Sequence, residues 1–282
     1  MKIKKAIELG VKRLKEAKIK TPVTDTHLIL SKVLGIPRWK LIVEKESEIP
    51  EEKRKEFFSL IEKRAEGYPL GYILGEKEFF NVKLKIEEGI LIPRPETELL
   101  VEEVLKRLPE DQKKTGLEIG IGSGAISIAL LKNRPFLLIY GVDISDKALK
   151  LSYINAKINN VLNRFIIIES DLFENVPQIK FDFIVSNPPY VSQEEYRHLE
   201  KEVKKEPYEA LVAGKEGTEF YEKIVKEGKK YLKKDGFFAF EIGYKQGKAV
   251  KKILEAEGFK AKIIKDLQGL DRIVIGEKDV RD

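Results

Sequence analysis

The sequence predicts a doubly wound α/β domain preceded by a small bundle of helices. From Gly116 onward, short β-rich runs alternate with helical stretches, a pattern typical of a mostly parallel sheet covered by helices. The predicted strands are residues 116–119, 137–143, 165–169, 181–186, 236–241, 260–265 and 272–276. Residues 266–271, between the last two, are too few for a crossover helix, so we expect an antiparallel pair there.

Residues 1–75 are predicted to form the helical bundle. Apolar residues recur at helical spacing from Ile3 to Leu14. Thr24-Asp25 precedes an apolar stretch that ends at Gly35, which predicts a capped second helix with a glycine stop. Pro50 stands where the first turn of a further helix tolerates proline.

A β-hairpin is predicted between the helices and the α/β domain. Residues 78–86 alternate between apolar and polar side chains before Gly89. The chain therefore divides into a helical amino-terminal domain at 1–75, a hairpin linker at 76–93 and a catalytic domain at 94–282.

Composition excludes several kinds of site. With no cysteine and two histidines in 282 residues, disulfides, thiolate metal sites and histidine metal clusters are excluded, so we expect no metal. The apolar runs fall far short of the roughly 20 residues that a membrane helix needs, which predicts no membrane association. The amino terminus lacks the apolar core of a signal peptide, so a cytoplasmic location is expected.

The net charge of +6 is concentrated at the amino terminus. Residues 1–75 contain 17 lysines and arginines against 11 aspartates and glutamates, and the remainder is balanced. A solvated, lysine-rich helix face is the commoner origin of such an excess. The alternative hypothesis is a docking surface for an acidic protein substrate.

A glycine-rich turn follows the first strand of the α/β domain. Gly120-Ile121-Gly122-Ser123-Gly124 joins that strand to a helix, where glycines let a ligand approach backbone N–H groups. Asp143 ends the second strand and is placed to accept two ribose hydroxyls. This pattern fits NAD as well as S-adenosylmethionine, and tight packing alone could also require the glycines.

The fourth strand distinguishes the two cofactors. It ends in Asn187-Pro188-Pro189-Tyr190, at the edge where open α/β sheets bind ligands. The Asn187 carboxamide and the Pro188 carbonyl offer two oxygens to the two hydrogens of one NH2 group. Tyr190 offers an aromatic face to a planar amide or base.

This tetrapeptide resembles the signature of methyltransferases that act on exocyclic or amide nitrogens, and an antiparallel last strand is typical of Rossmann-like class I methyltransferases. Further segments resemble the release factor glutamine methyltransferase family, also called HemK or PrmC. They are residues 67–75, Phe79-Phe80, residues 91–98, Glu206-Pro207, Ala210-Leu211 and Asp271-Arg272. The resemblance spans nearly the whole chain.

The resemblance implies methylation of the glutamine in the Gly-Gly-Gln motif of class I peptide chain release factors, with S-adenosylmethionine as cofactor and S-adenosylhomocysteine as product. It places the cofactor's methionine end along Gly120–Gly124, the ribose on Asp143 and the adenine near Asp171 and Leu172. Asn187–Tyr190 would hold the glutamine.

Two positions depart from the family pattern. Many members have tryptophan at the position of Leu172, and residues 213–217 differ from the usual Gly-Gly-x-Asp-Gly. Arg94 is expected to bind substrate, although Arg94 and Glu96 could equally brace the entrance of the site.

Three alternatives stay open. One is a glutamine methyltransferase for a ribosomal protein, and another is an adenine-N6 or guanine-N2 nucleic-acid methyltransferase that acts on a flipped base. The third is a non-catalytic, cofactor-binding module, which would leave Asn187–Tyr190 unexplained. In the favoured reading, nucleic acid is not required.

Overall fold

The computed structural model describes residues 1–278, which form two compact units. The first contains Met1–Glu76 together with Glu200–Lys205, and the second contains Lys77–Leu199 and the chain from Glu206 onward. Within residues 1–278, no helix is long and apolar enough to cross a membrane.

The first unit is helical. Its helices are α1 (Ile3–Glu16), α2 (Pro22–Leu34), α3 (Arg38–Val43), α4 (Glu51–Ala65) and α5 (Leu70–Leu74). Leu14, Leu30, Phe57 and Ile61 are fully buried in its core. These apolar side chains lie on facing sides of α1, α2 and α4, which pack together as the helical spacing predicts.

Helix α2 begins earlier than its sequence suggested. Pro22 occupies the first helical position, so Thr24 and Asp25 lie inside the helix instead of capping it, and Gly35 ends it in the left-handed conformation with a φ of 67°. Asp25 is buried and accepts hydrogen bonds from Thr21 Oγ1 at 2.6 Å and Arg64 Nε at 2.7 Å.

The short segment Glu200–Lys205 also belongs to the helical unit. The buried Arg64 guanidinium bridges Asp25 and Glu202, with an Nη1–Oε2 distance of 2.8 Å to Glu202. A buried cation needs such paired carboxylates to offset its desolvation. Residues far apart in the sequence are therefore joined in one unit.

The second unit contains the predicted sheet. Its helices are α6 (Thr97–Leu105), α7 (Ala125–Asn133), α8 (Asp146–Ile158), α9 (Gln193–His198), α10 (Tyr208–Leu211), α11 (Glu219–Gly228) and α12 (Gly247–Ala256). Its strands are β1 (Glu76–Phe79, whose first residue falls in the helical unit), β2 (Val82–Lys85), β3 (Lys114–Ile119), β4 (Leu137–Asp143), β5 (Phe165–Glu169), β6 (Phe181–Ser186), β7 (Val191–Ser192), β8 (Val212–Gly214), β9 (Leu232–Glu241), β10 (Phe259–Lys265) and β11 (Asp271–Lys278).

Seven of these strands form one sheet in the order β10-β11-β9-β6-β3-β4-β5. Strand β11 pairs antiparallel with both β9 and β10, whereas the other pairs are parallel. The prediction of a mostly parallel, seven-stranded sheet with an antiparallel last strand is confirmed. The last strand is inserted between β9 and β10, which gives it two neighbours.

Two small two-stranded pairings accompany the main sheet. Strands β1 and β2 are joined by Phe80 and Asn81, both at positive φ, as a tight two-residue hairpin turn requires. The Asn155 side chain of α8 bonds both the N–H and the carbonyl of Lys85, so β2 is fastened to the catalytic unit. Strand β7, directly after residues 187–190, pairs in parallel with β8. This pair was not predicted because each strand has only two or three residues.

Candidate active site

The sheet register brings three predicted loops together. Ile119 pairs with Ser186 in the parallel β3–β6 ladder, and Ser186 pairs with Phe240 in the parallel β6–β9 ladder. The next residues, Gly120, Asn187 and Glu241, therefore lie side by side at the carboxyl edge of the sheet. Chain connections diverge between β3 and β6, which is where doubly wound sheets bind ligands.

A cavity of about 440 Å³ opens at this edge. Predicted site residues that line it are Gly120, Ile121, Gly122, Ser123, Asp143, Asp171, Leu172, Asn187, Pro188 and Pro189. Gly124, Tyr190 and Arg94 are not among its lining residues. Its volume falls within the range of about 300–1,000 Å³ that small-molecule sites occupy.

The glycine-rich turn presents bare backbone to the cavity. Gly120 has a φ of 75°, and a Cβ added there would meet no atom within 4 Å, so a side chain would project into open space. Gly124 differs, since its added Cβ would lie 3.1 Å from both Ile128 and Ser152. Tight helix packing accounts for Gly124, and a contact between it and the cofactor stays a prediction.

Asp143 lies at the end of β4 beside this turn. Its Oδ2 accepts the Gly122 N–H at 2.9 Å, and its Oδ1 accepts the Ser145 N–H at 2.9 Å. Burial raises the pKa of the Asp143 carboxyl, and the backbone donors Gly122, Ser145 and Ile144 oppose that rise. An ionised carboxylate has about four acceptor sites, so acceptor capacity is left for ribose hydroxyls.

A second acidic side chain, Glu118, lines the cavity from inside strand β3. It accepts the Ser127 N–H at 3.0 Å and the Ser127 hydroxyl, and burial raises its pKa to about 8. Sequence reasoning did not assign it a role. The available signal was an acid between the apolar residues Leu117 and Ile119 of a predicted strand, where charged residues are rare.

Asp171 and Leu172 line the cavity after strand β5. Leu172 has a φ of 48°, a left-handed conformation that costs a branched residue energy and that is concentrated at functional sites. The Ser170 hydroxyl donates to the Leu172 carbonyl at 3.0 Å and accepts the Asn175 N–H at 3.0 Å, which holds the turn. Adenine binding here stays a prediction.

Asn187 extends from the end of β6. Its Nδ2 donates to Thr97 Oγ1 at 3.4 Å, and within residues 1–278 no hydrogen bond to the carboxamide oxygen is found, so that oxygen is left as an acceptor. Thr97 is the first residue of α6, is buried and lines the cavity. The Thr97 hydroxyl is also hydrogen-bonded to the Glu241 carboxyl. Neither Thr97 nor Glu241 was assigned a role from the sequence.

Tyr190 packs against the main core, and its position is held by Gln246. Gln246 Nε2 donates to the carbonyls of Tyr190 at 2.8 Å and Gly217 at 3.0 Å, while its Oε1 accepts the Gly243 N–H. A Cβ added at Gly243 would lie 2.9 Å from Gln246 Oε1, so glycine leaves room for the side chain that holds Tyr190. Burial raises the pKa of the Tyr190 phenol, which therefore stays protonated in neutral solution.

Arg94 is engaged by another residue of the same unit. Its guanidinium forms an ion pair with the buried Glu206 carboxylate, which also accepts the Ile92 N–H at 2.9 Å. Lys77 donates to the Pro93 carbonyl at 2.5 Å. These contacts hold residues 92–94, of which Pro93 lines the cavity. Substrate binding by Arg94 stays a prediction.

The lining residues fit S-adenosylmethionine better than NAD. Three acids line the cavity beside Glu118, whose raised pKa keeps it protonated in neutral solution: Asp143, Asp171 and Glu209. The described lining contains no lysine, arginine or histidine. S-adenosylmethionine carries a sulfonium and an ammonium group, whereas NAD carries a negatively charged pyrophosphate. An acidic lining favours the cationic ligand. The fold and this site together define a Rossmann-like, S-adenosylmethionine-dependent methyltransferase.

Comparisons with known proteins agree with this class. A family model described as PrmC N-terminal domain matches residues 5–75, and one described as methyltransferase small domain matches residues 95–214. A methyltransferase structure from Pyrococcus furiosus has a TM-score of 0.54 at 20% identity, covering 71% of this chain and 90% of that chain. That likeness concerns the fold alone.

Sequence relatives are more specific. The release factor glutamine methyltransferase of Aquifex aeolicus is 45% identical over 254 residues, 90% of each chain. That of Thermodesulfovibrio yellowstonii is 41% identical over 260 residues, 91% of this chain and 92% of the relative. This chain belongs to the release factor glutamine methyltransferase family.

Proposed function

We propose that this protein transfers a methyl group from S-adenosylmethionine to the side-chain amide nitrogen of the glutamine in the Gly-Gly-Gln motif of class I peptide chain release factors. The observation that carries the proposal is the free carboxamide oxygen of Asn187, beside the Gly120 turn on an acid-lined cavity. Because the substrate is a translation protein, the reaction requires no nucleic acid and takes place in the cytoplasm.

The acidic lining holds the cofactor. Asp143 would accept the ribose hydroxyls, and the backbone of Gly120–Gly124 would lie along the methionine end. The bound cofactor supplies an electrophilic methyl group on a sulfonium. Asp171 and Glu209 add carboxylates to the same cavity, so the cationic groups of the cofactor would lie in a field of opposite sign.

Asn187 and Pro188 orient the substrate. An amide nitrogen is a weak nucleophile because its lone pair is delocalised, so the main contribution of the enzyme is to hold that nitrogen in line with the methyl group. The Asn187 oxygen and the Pro188 carbonyl accept one N–H each. Their dipoles stabilise the positive charge that develops on nitrogen more than they stabilise the ground state.

No strong base is then needed at the reacting nitrogen. The proton leaves to water after transfer, when the nitrogen has become acidic. The Tyr190 ring supports the planar amide, and its phenol stays protonated because burial raises its pKa.

Radioactive methyl transfer with matched substrates tests the proposal. A class I release factor should accept one methyl group, and the same factor with glutamine replaced by glutamate in Gly-Gly-Gln should accept none. Purified ribosomal proteins and total RNA serve as the competing substrates. Labelling of a ribosomal protein or of RNA, with the release factor unlabelled, would contradict the proposed substrate.

A further inference from the structure

Glu241 is a buried acid that the proposed mechanism leaves unused. It ends strand β9 with 1% of its surface exposed, and its Oε2 atom has no hydrogen-bond partner among the described residues. Burying an unsatisfied carboxylate oxygen costs stability, so each such group calls for a physical explanation. A glutamine of the same size would avoid a buried charge.

A contact with Thr97 connects Glu241 to the substrate site. The Thr97 hydroxyl is hydrogen-bonded to the Glu241 carboxyl, and it also receives the Asn187 Nδ2 hydrogen at 3.4 Å. Helix α6 begins where strands β6 and β9 end. Glu241, Thr97 and Asn187 therefore follow one another in a line of hydrogen-bonded side chains.

The order of donors along this line has a consequence for Asn187. A threonine hydroxyl has one hydrogen, and an ionised carboxylate can only accept. With Glu241 ionised, Thr97 donates to Glu241 and can only accept from Asn187, so the Asn187 NH2 group must point to Thr97. A neutral group at Glu241 could donate to Thr97 instead. Thr97 could then donate to the Asn187 oxygen and turn the carboxamide over.

We propose that Glu241 is a positioning residue, which acts through Thr97 to hold the Asn187 carboxamide with its oxygen toward the substrate amide. This inference rests on the proposed function, in which the Asn187 oxygen accepts a substrate N–H. A neutral residue could not take this role. Only an ionised Glu241 must accept a hydrogen bond from Thr97, which leaves Thr97 able only to accept from Asn187.

The surroundings of Glu241 make its charge responsive to pH. Burial is the main cause that raises its pKa to about 7, and Glu96 adds to the rise. Arg272 and Arg94 oppose it from a distance, while Arg272 is ion-paired with Asp266 at 3.1 Å. The phenols of Tyr190 and Tyr221 also face this carboxylate, and both stay neutral because burial raises their pKa values.

Single-turnover methylation at saturating cofactor tests the inference with three variants. Glu241→Gln and Thr97→Val should each lower the rate roughly 10- to 100-fold, since a misplaced contact costs that much. Thr97→Ser keeps the hydroxyl and should recover most of the rate. The double variant should be no slower than the slower single variant, because both changes break one line. Glu277→Gln, an exposed acid on β11, is the matched control.

The pH profile distinguishes positioning from a merely structural role. In the parent, the transfer rate should fall as pH is lowered through about 7, because protonated Glu241 no longer fixes the polarity of Thr97. In Glu241→Gln, the transfer rate should not fall in this pH range. Its affinity for S-adenosylhomocysteine and its Tm at pH 8 should be no lower than those of the parent. If Glu241 were merely structural, Glu241→Gln would have a lower Tm than the parent and would keep the fall in rate below about pH 7.

Two outcomes would overturn the inference without touching the proposed function. One is a parental rate for Glu241→Gln alongside a severe loss for Asn187→Ala. The other is a double variant, Glu241→Gln with Thr97→Val, whose loss of rate equals the sum of the two single losses in free energy. A parental rate for Asn187→Ala would instead remove the substrate clamp on which the inference rests, and an inactive parent protein would contradict the proposed function itself.

Discussion

The Asp143 carboxylate accepts the backbone N–H of Gly122 at 2.9 Å, so the acid that ends β4 is joined to the glycine turn that follows β3. The two motifs are 21 residues apart in sequence. They form one structure because β3 and β4 are parallel neighbours whose carboxyl ends meet. Asp143 therefore supports the shape of the turn as well as offering acceptors to a ligand.

Replacing Asp143 should damage cofactor binding severely. Asp143→Ala removes the support of Gly122 and two acceptors for ribose hydroxyls, so affinity for S-adenosylhomocysteine should fall at least about 100-fold. Isothermal titration measures this, with NAD as a ligand that should bind neither protein. Glu169→Ala, an exposed acid at the end of the adjacent strand β5, is the control and should bind normally. Preference of the parent for NAD would contradict the cofactor assignment.

Glu118 should make the folded protein less stable as pH rises. Its pKa is raised by burial from 4.5 to about 8, so the folded chain holds a proton that the unfolded chain has lost between these values. Stability therefore falls by about 1.4 kcal/mol per pH unit across this window. Glu118→Gln has no such proton, and its Tm advantage over the parent should grow from pH 5 to pH 8.

Thermal unfolding of the cofactor-free protein at several pH values checks this. Glu169→Gln replaces an exposed acid and should follow the parent at every pH. A Tm difference between Glu118→Gln and the parent that stays constant with pH would mean that Glu118 is ionised in the folded protein throughout.

The sheet was predictable because its signals are local. Each buried strand is a short apolar run, and the few residues between β10 and β11 dictate an antiparallel turn. The start of β9 was missed because Leu232–Asp235 is mostly exposed, and only the bulged pairing with β6 makes it a strand. The start of α2 was missed because Asp25 was taken as a cap, whereas its partner Arg64 lies 39 residues away.

The candidate site was predictable where motif residues follow strands directly. Gly120, Asp143 and Asn187 could be placed at one edge from strand order alone. Thr97 and Glu241 could not be placed in this way. Their roles depend on contacts among the start of α6, the end of β6 and the end of β9, which are distant in sequence. Glu206 likewise acquires its place only when it meets Ile92 and Arg94 across 114 and 112 residues.

The charge of the helical unit leads to a prediction on substrate binding. Lys12, Lys15 and Lys18 are exposed on or just after α1. If the helical unit docks an acidic protein, changing all three to glutamate should raise KM for the release factor and weaken its dependence on salt, since opposite charges steer association. Cofactor affinity should not change.

A matched triple variant controls for net charge. Lys248, Lys252 and Lys260 are exposed on the catalytic unit, and their change to glutamate alters the net charge equally. If both triple variants raise KM equally, the net charge of the protein attracts the substrate and docking on the helical unit is contradicted. If neither variant changes KM, the lysines of the helical unit form a solvated face without a role in binding.

The substrate clamp is tested most directly at Asn187 and Tyr190. Asn187→Ala removes one acceptor and leaves a substrate N–H unpaired in a desolvated site, which should lower turnover on the order of 10²–10³-fold. Cofactor affinity should suffer less, because Asp143 and the glycine turn keep their contacts.

Tyr190→Phe keeps the ring and deletes a phenol that stays neutral, so its effect should be mild, whereas Tyr190→Ala should be severe. Single-turnover methylation of a release factor, with cofactor affinity measured for each variant, separates positioning from binding. If Asn187→Ala methylates at the parental rate, the two-acceptor clamp is wrong even where cofactor binding behaves as predicted.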